Sequence, residues 1–154
     1  MLYWHILKGI VWLLILAVKG IGLNKNLYVG FNCYVVFNNR EIYGPFQPSL
    51  AAGSSSTIPS CHAEVNAVKH IIKIKGLKAA QKATYYCLRW SFDNNTKTWY
   101  LNEGNSCLDC SEFFKKYGIN KFVISTKKSE QFIKKNITEL LNDAKKSTGR
   151  LYGT

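Results

Sequence analysis

Arginine and acidic side chains are scarce in this sequence of 154 residues. Both features affect which charged ligands the protein can bind. Only 3 of the 21 basic residues are arginine, and 9 acidic residues leave a net charge of +12 at pH 7. Few arginines argue against a shaped phosphate clamp, which depends on the planar guanidinium fork. The lysine excess has two interpretations. The lysines either form generic solvated faces, since AT-rich codon usage alone would produce many of them, or they form a surface that attracts nucleotides, polyanions or an acidic membrane.

Internal repeats are absent, and the only low-complexity segment is a short Ser/Thr run at 54–57. Hydrophobic residues make up 47% of the chain and charged residues 19%, a balance that excludes a disordered protein. The length is typical of one domain with a sizeable core. We therefore predict a single domain over residues 1–154.

The N-terminal segment lacks an apolar run long enough to cross a bilayer, which takes about 20 residues. Ten uncharged residues separate Lys8 from Lys19, and no clear small-x-small cleavage site of a signal peptide follows them. Residues 1–23 instead predict a very apolar helix, the first of the domain, covered in part by a partner. A signal sequence, or contact of this helix with a membrane, is the less favoured alternative.

The five cysteines are an odd number and are not spread like a secreted disulfide framework. Cys33 and Cys87 lie inside apolar, strand-like runs, where a thiol behaves as a small core residue. Cys61, Cys107 and Cys110 lie beside polar or turn-forming residues. This distribution predicts a metal site in a protein of a reducing, intracellular compartment, the cytoplasm.

An extended pattern begins after the N-terminal segment. Residues 27–37 are rich in β-branched and aromatic types and predict a strand, and Asn38-Asn39 marks a turn before a short strand at 40–43. Residues 44–60 hold all three prolines and predict a loop.

Helices and strands alternate in the rest of the chain, which favours a partly parallel sheet covered on both faces. Gly118 is a good helix stop signal. The predicted elements are a helix over 62–75, a strand over 83–90, a turn at 93–95, a return strand over 98–102, a helix over 107–117, a strand over 120–126, either a helix or a hairpin strand near 131–137, and a helix over 138–146.

Three residues of metal-ligand type fall at the starts of two predicted helices. His62 follows the proline-containing loop, and Cys107 and Cys110 form a C-x-x-C at the start of the later helix. This spacing places both sulfurs on one side, within reach of one tetrahedral metal ion. One histidine and two cysteines leave the fourth zinc position open, which is typical of a catalytic site.

Glu64, two residues after His62, supplies the proton carrier that such a site needs. A metal with an open position can activate water near neutral pH, but an amine must leave protonated. A carboxylate in this position can take a proton from the water and pass it on to the leaving group. The sequence therefore predicts hydrolytic chemistry on Zn²⁺.

His62-Ala63-Glu64 together with Cys107-x-x-Cys110 resembles the signature of the zinc-dependent cytidine and deoxycytidylate deaminase superfamily, H-x-E…P-C-x-x-C. The resemblance covers about residues 27–126. A histidine as first ligand is similar to the branch of deoxycytidylate, tRNA-adenosine and polynucleotide cytidine deaminases. The resemblance implies a three-layer α/β/α sandwich with a mixed, roughly five-stranded central sheet, and a homo-oligomer.

Three features depart from the family pattern. Ser106 replaces the proline before the first cysteine, which loosens a turn but removes no ligand. The loop after the second strand lacks the asparagine with which many relatives hold base and sugar, and Gln47 is a weak candidate to replace it. The stretch 90–105 is also longer than in compact members. Trp90 and Trp99 there either stack on a base or, as we favour, pack a hairpin.

The resemblance implies a deaminase that converts a cytosine base to uracil in a nucleoside or nucleotide. One alternative is an enzyme that acts on RNA or single-stranded DNA, including the tRNA-adenosine type. The other alternative is a catalytically inactive relative that keeps zinc only for its fold. Glu64 argues against the latter, because a structural site has no use for that carboxylate.

Overall fold

The computed structural model describes residues 29–38, 40–47, 49–50, 59–127 and 131–144. The predicted N-terminal helix over 1–23 lies outside these ranges. Within them, no helix is long and apolar enough to cross a membrane. The elements in chain order are β1 (Val29–Phe37), β2 (Glu41–Phe46), β3 (Ser49–Leu50), β4 (Pro59–Cys61), α1 (Ala63–Lys75), α2 (Leu77–Lys82), β5 (Thr84–Asp93), β6 (Thr98–Asn102), α3 (Leu108–Lys116), β7 (Phe122–Ser125), β8 (Phe132–Lys135) and α4 (Ile137–Asp143).

A mixed sheet forms the centre of the fold, with the strand order β2-β1-β5-β7-β8. Strands β5 and β7 are parallel, and the other neighbours along this path are antiparallel. On the side away from β1, the first half of β5 pairs with β7 and its second half pairs with β6. The predicted mixed, roughly five-stranded α/β architecture is confirmed, with β6 as an additional sixth strand.

The two faces of the sheet carry separate apolar clusters, because side chains alternate along each strand. The first face packs against all four described helices. Its buried members are Cys33, Val35, Ala63, Ala67, Val68, Ile71, Ala80, Ala83, Tyr85, Cys87, Phe114, Ile119, Phe122, Ile124 and Leu140. The second face is also buried, but no residue of a described helix belongs to its cluster. That cluster consists of Tyr34, Val36, Tyr86, Leu88, Trp90, Leu101 and Val123.

Helix α1 confirms the helix predicted over 62–75, and its apolar residues face the first cluster. It ends at Gly76, which adopts φ +90°, a conformation that side chains disfavour. Beyond this glycine the chain forms a further short helix, α2, which we did not predict. Six residues are too few for a clear helical period, so its pattern could not be separated from a loop.

The predicted loop over 44–60 is wrong in part. Strand β2 continues to Phe46, and strand β3 pairs antiparallel with β4 near the end of the segment. Both ends of the loop are therefore fixed by backbone pairing, and β4 leads directly into the start of α1. The three prolines that favoured a loop are compatible with short, two-stranded pairing of this kind.

At the C-terminal end, the hairpin alternative is confirmed. Strand β8 returns antiparallel to β7, and α4 starts directly after it. Asn136 and Glu139 form a capping box, in which each side chain accepts from the backbone N–H of the other residue. This cap explains why the helix begins at Ile137.

Candidate metal centre

The starts of α1 and α3 meet on the first face of the sheet, and each is preceded by a candidate ligand. His62 is the N-cap residue of α1 and Cys107 is the N-cap residue of α3. The His62 ring makes no capping hydrogen bond, so it is free to point toward α3. Cys110 follows one turn into α3, and its backbone N–H donates to Cys107 Sγ at 3.5 Å. The predicted juxtaposition of helix starts is thus realised in the fold.

The donor atoms of these three residues lie within 4.8 Å of one another. His62 Nδ1 is 3.2 Å from Cys110 Sγ and 3.4 Å from Cys107 Sγ. In a tetrahedral zinc site, standard Zn–N and Zn–S bond lengths place nitrogen and sulfur about 3.5 Å apart. The three donors therefore fit one metal ion such as zinc, with Nδ1 as the histidine donor.

The two thiols differ in protonation. Hydrogen bonds from the Cys110 thiol, from the His62 ring and from the Cys110 N–H lower the pKa of Cys107 to about 4. Conversely, the Cys110 thiol donates a hydrogen bond to Cys107 and is buried, and both effects raise the pKa of Cys110 far above its usual range. The hydrogen bond to Cys107 likewise raises the pKa of His62. The pair thus holds one thiolate at neutral pH, and a metal ion would displace the remaining proton.

Glu64 lies in the first turn of α1, and only 3% of its surface is exposed. Burial is the main reason why its pKa is raised. Hydrogen bonds from its own backbone N–H and from the Ser106 hydroxyl oppose the shift. Its carboxylate also contacts the Cys110 thiol. A buried carboxyl with a raised pKa beside a metal-binding group is suited to carry a proton.

Ser106 has a role that the sequence pattern did not indicate. Instead of only loosening the turn before Cys107, it is 1% exposed and its hydroxyl hydrogen-bonds the Glu64 carboxylate. The same hydroxyl lies 3.9 Å from Cys87 Sγ. A proline, which has no hydroxyl, could not make these contacts.

The segment that leads into Cys107 is held by close packing against the sheet. Gly104 donates its N–H to Ser125 O at 2.9 Å, and a Cβ there would lie 2.7 Å from Ser125 Oγ and still closer to the Cys87 carbonyl. The buried Ser125 hydroxyl donates to Asn102 O at 2.7 Å and accepts from Arg89 N at 3.1 Å. These contacts fix the point at which β6 leaves β5.

A second anchor comes from the C-terminal hairpin. The Lys135 ammonium donates to Asn105 Oδ1 at 2.6 Å and to Asp143 Oδ2 at 2.7 Å, and 11% of the lysine side chain is exposed. Asn105 in turn donates to Glu103. The segment 103–106 is thus fixed from both β7 and β8, which restricts the position of Cys107.

The three weak substrate-contact candidates have different locations. The Gln47 backbone carbonyl accepts from Asn66 Nδ2 at 2.7 Å, which places Gln47 beside the first turn of α1 with an exposed side chain. Trp90 is 4% exposed and belongs to the second face of the sheet, away from the metal-binding group. Its Nε1 has no hydrogen-bond partner among the described residues. Trp99 lies in β6, opposite Phe92 of β5 in the strand register. Its side chain lies outside the described part of the structure.

Comparison with models of known families, with curated proteins and with solved structures yields no match to this chain. The His/Cys/Cys group and the mixed α/β sheet are compatible with the fold of a zinc deaminase.

Proposed function

We propose that this protein is a zinc-dependent hydrolytic deaminase that converts a cytosine base to uracil in a nucleoside or nucleotide. The observation that carries the proposal is the convergence of His62, Cys107 and Cys110 at two helix starts with a buried carboxyl, Glu64, directly beside them. A metal site that served stability alone would be complete with four protein ligands. Among the residues that the structure describes, three candidate ligands are accompanied by a buried carboxyl that can carry a proton.

His62, Cys107 and Cys110 would hold the zinc ion, which, when bound, supplies a Lewis acid that lowers the pKa of water. The starts of α1 and α3 meet at this group, and their positive dipole ends favour the thiolate forms of the ligands. The buried surroundings of Glu64 exclude bulk water, which strengthens these electrostatic interactions.

Glu64 is the group that moves protons in this proposal. Its carboxylate takes a proton from the attacking water and delivers it to the ring nitrogen, and later transfers a proton to the amino group as the C–N bond breaks. The overall reaction consumes one water and releases one ammonia. The hydrogen bond from Ser106, which lowers the pKa of this carboxyl, would help to orient it for both transfers.

A polymer substrate is the second candidate, and the net charge of +12 favours it. Against it, lysines dominate the charge and form no single run. The choice of cytosine rather than adenine rests on the resemblance of the ligand motif and not on a described contact to the base.

The test is ammonia release from zinc-loaded protein, with cytidine, deoxycytidine, their monophosphates, adenosine and a cytosine-containing oligonucleotide as substrates. We expect release from a cytosine nucleoside or nucleotide, and its loss in Glu64→Gln. Release only from the oligonucleotide would favour the polymer candidate. A folded protein with bound zinc that releases no ammonia from any of these substrates would contradict the proposal and favour an inactive relative.

A further inference from the structure

The first face of the sheet continues beyond the helix starts as a strip that no described helix covers. Cys33 belongs to the same buried cluster as Ala63 and Ala67 of α1. Burial is the main reason why the pKa of the Cys33 thiol is raised, and Cys87 and the nearby Glu64 raise it further. At the other end of α1, Lys75 lies 5.2 Å from the centre of the Phe37 ring and forms an ion pair with Glu41. Helix α1 therefore covers β1 from the level of Cys33 to the end of the strand. It does not extend over the beginning of β1.

The register of the strands identifies the side chains on this strip. Cys33 is opposite Cys87, so the next pair on the same face is Phe31 and Arg89. Across β6, Arg89 is opposite Asn102, whose side chain points to the same face. These three residues, Phe31, Arg89 and Asn102, form what we call the strand floor. It begins one two-residue step, about 7 Å, beyond the cysteine pair.

Burial confirms that the strand floor is open while the opposite face is not. Arg89 is exposed, and Phe31 and Asn102 are half-buried. On the other face, the neighbouring residues Trp90 and Leu101 are only 4% and 8% exposed. The strand floor is therefore an accessible surface. It lies one two-residue step from Cys87, whose Sγ is 3.9 Å from Oγ of Ser106, the residue before Cys107.

The chemistry of the strand floor suits an anion joined to a flat apolar group. Arg89 is one of only three arginines in the chain, and no described carboxylate lies within ion-pair distance of its guanidinium. Its backbone N–H is fixed by Ser125 Oγ at 3.1 Å, so the base of the side chain has a defined position. Phe31 packs against the first cluster and presents the rest of its ring beside Arg89.

We infer that the strand floor binds the phosphate-bearing part of the substrate, with Arg89 contacting a phosphate and Phe31 packing against the sugar or base. This inference rests on the proposed deaminase function and specifies its substrate class as a phosphorylated nucleoside. The phosphate belongs either to a free nucleotide or to a strand. A guanidinium offers paired donors that match phosphate oxygens, and the two helix starts add positive dipole ends on the same side.

The test compares Arg89→Gln with Arg40→Gln, a matched change of an exposed arginine in the turn at the opposite end of β1. We expect Arg89→Gln to lower kcat/KM for the monophosphate by at least about tenfold, the range of one hydrogen bond to a charged group. Deamination of the unphosphorylated nucleoside should change less than about twofold, below the range of even a neutral hydrogen bond, because it offers Arg89 no phosphate. Arg40→Gln should change neither value, and Arg89→Lys should recover part of the loss.

A binding measurement separates failure of this inference from failure of the proposed function. Zinc-loaded Glu64→Gln protein is titrated with cytidine, cytidine monophosphate and a short single-stranded oligonucleotide, each with and without Arg89→Gln. Loss of affinity for the monophosphate supports a free nucleotide, and loss for the oligonucleotide alone supports a strand. Phosphate-dependent binding that needs Arg89 would uphold the strand floor even if no ammonia were released. Equal affinity with and without Arg89 would overturn it even in an active deaminase.

Discussion

His62 Nδ1 lies 3.4 Å from Cys107 Sγ, although 45 residues separate the two and each is the N-cap of a different helix. Two separate helix starts are therefore joined at one point on the sheet. Hydrogen bonds and the His62 ring stabilise the Cys107 thiolate there, and a metal cation would replace both interactions with stronger ones. Metal binding should consequently link α1 to α3 and raise the stability of the whole domain.

The first prediction is a bound zinc ion, about one per chain, in protein purified without chelator. Cys107→Ala and Cys110→Ala are each expected to lose it, because two remaining ligands bind zinc weakly. Elemental analysis measures the metal content, and thermal unfolding with and without chelator measures its effect on Tm. Chelation should lower Tm in the wild type and change it little in the two variants.

Cys33→Ala is the matched control for the zinc prediction, since Cys33 is a buried thiol outside the metal-binding group. This variant should retain a full complement of zinc. A wild-type protein that is folded, active and free of metal would rule out the centre.

The second prediction is that Glu64→Gln keeps the fold and the zinc but lowers kcat by roughly two to four orders of magnitude, the usual contribution of a positioned acid or base. Glutamine preserves the size of the side chain and its ability to accept from Ser106, but it cannot shuttle protons. Turnover and zinc content are measured on the same preparation. Glu112→Gln, a change at an exposed carboxylate of α3, should leave both unaltered. Unchanged turnover in Glu64→Gln would mean that another group moves the proton.

The third prediction concerns the approach to Cys107. Gly104→Ala should lower the free energy of unfolding by about 1–3 kcal/mol, because the added methyl group forces apart backbone and side chains of β5 and β7. It should also weaken zinc binding, since the segment 103–106 sets the position of Cys107. Denaturant unfolding and competition with a metal chelator measure the two effects. Gly76→Ala offers a contrast, because a Cβ there meets no atom within 4 Å and only the positive φ opposes it.

The candidate ligands could be predicted from the sequence because they lie in two short motifs at helix starts. A residue before a helix is recognisable from local chemistry, so the positions of His62, Cys107 and Cys110 relative to α1 and α3 followed without tertiary information. The role of Ser106 could not be predicted in this way. Its contact with Glu64 depends on the sheet that brings residues 42 positions apart together.

The pairing partners of strand β5 could not be predicted from the sequence. The sequence patterns identified β1, β5 and β7. The pairing of β5 with both β6 and β7 depends on its length, because β5 continues to Asp93, whereas the pattern predicts an end at residue 90. Trp90 shows the consequence. The extra length of the stretch 90–105 suggested a place near the site, either stacked on a base or, as we favoured, packed in a hairpin. Strand alternation instead turns Trp90 to the opposite face, where it packs in the second cluster.

The fourth prediction concerns that second face, whose large side chains are buried although no described helix residue belongs to their cluster. From its sequence alone, we expect the very apolar segment 1–23 to cover them. Removal of residues 1–23 should lower the free energy of unfolding by roughly 2 kcal/mol for each large side chain uncovered, and should promote aggregation. Denaturant unfolding and light scattering of the shortened and full chains measure this. Equal stability of the two chains would show that another part of the protein covers the face.

The last prediction tests whether the charge of +12 serves a polymer or a single nucleotide. If surface lysines engage a strand, each neutralised phosphate releases a counterion, and affinity for a single-stranded oligonucleotide falls steeply with salt, with a slope of about −0.7 per phosphate on a double-logarithmic plot. A free monophosphate offers only one phosphate, so its slope stays shallow. We expect weak oligonucleotide binding and a shallow slope for the monophosphate, because the lysines form no single run and the exposed Arg89 supplies one defined phosphate contact.

Affinities for both ligands, measured at several salt concentrations, distinguish a strand from a single nucleotide. Tight, strongly salt-dependent oligonucleotide binding, together with deamination of that oligonucleotide, would assign the protein to the polymer-editing class.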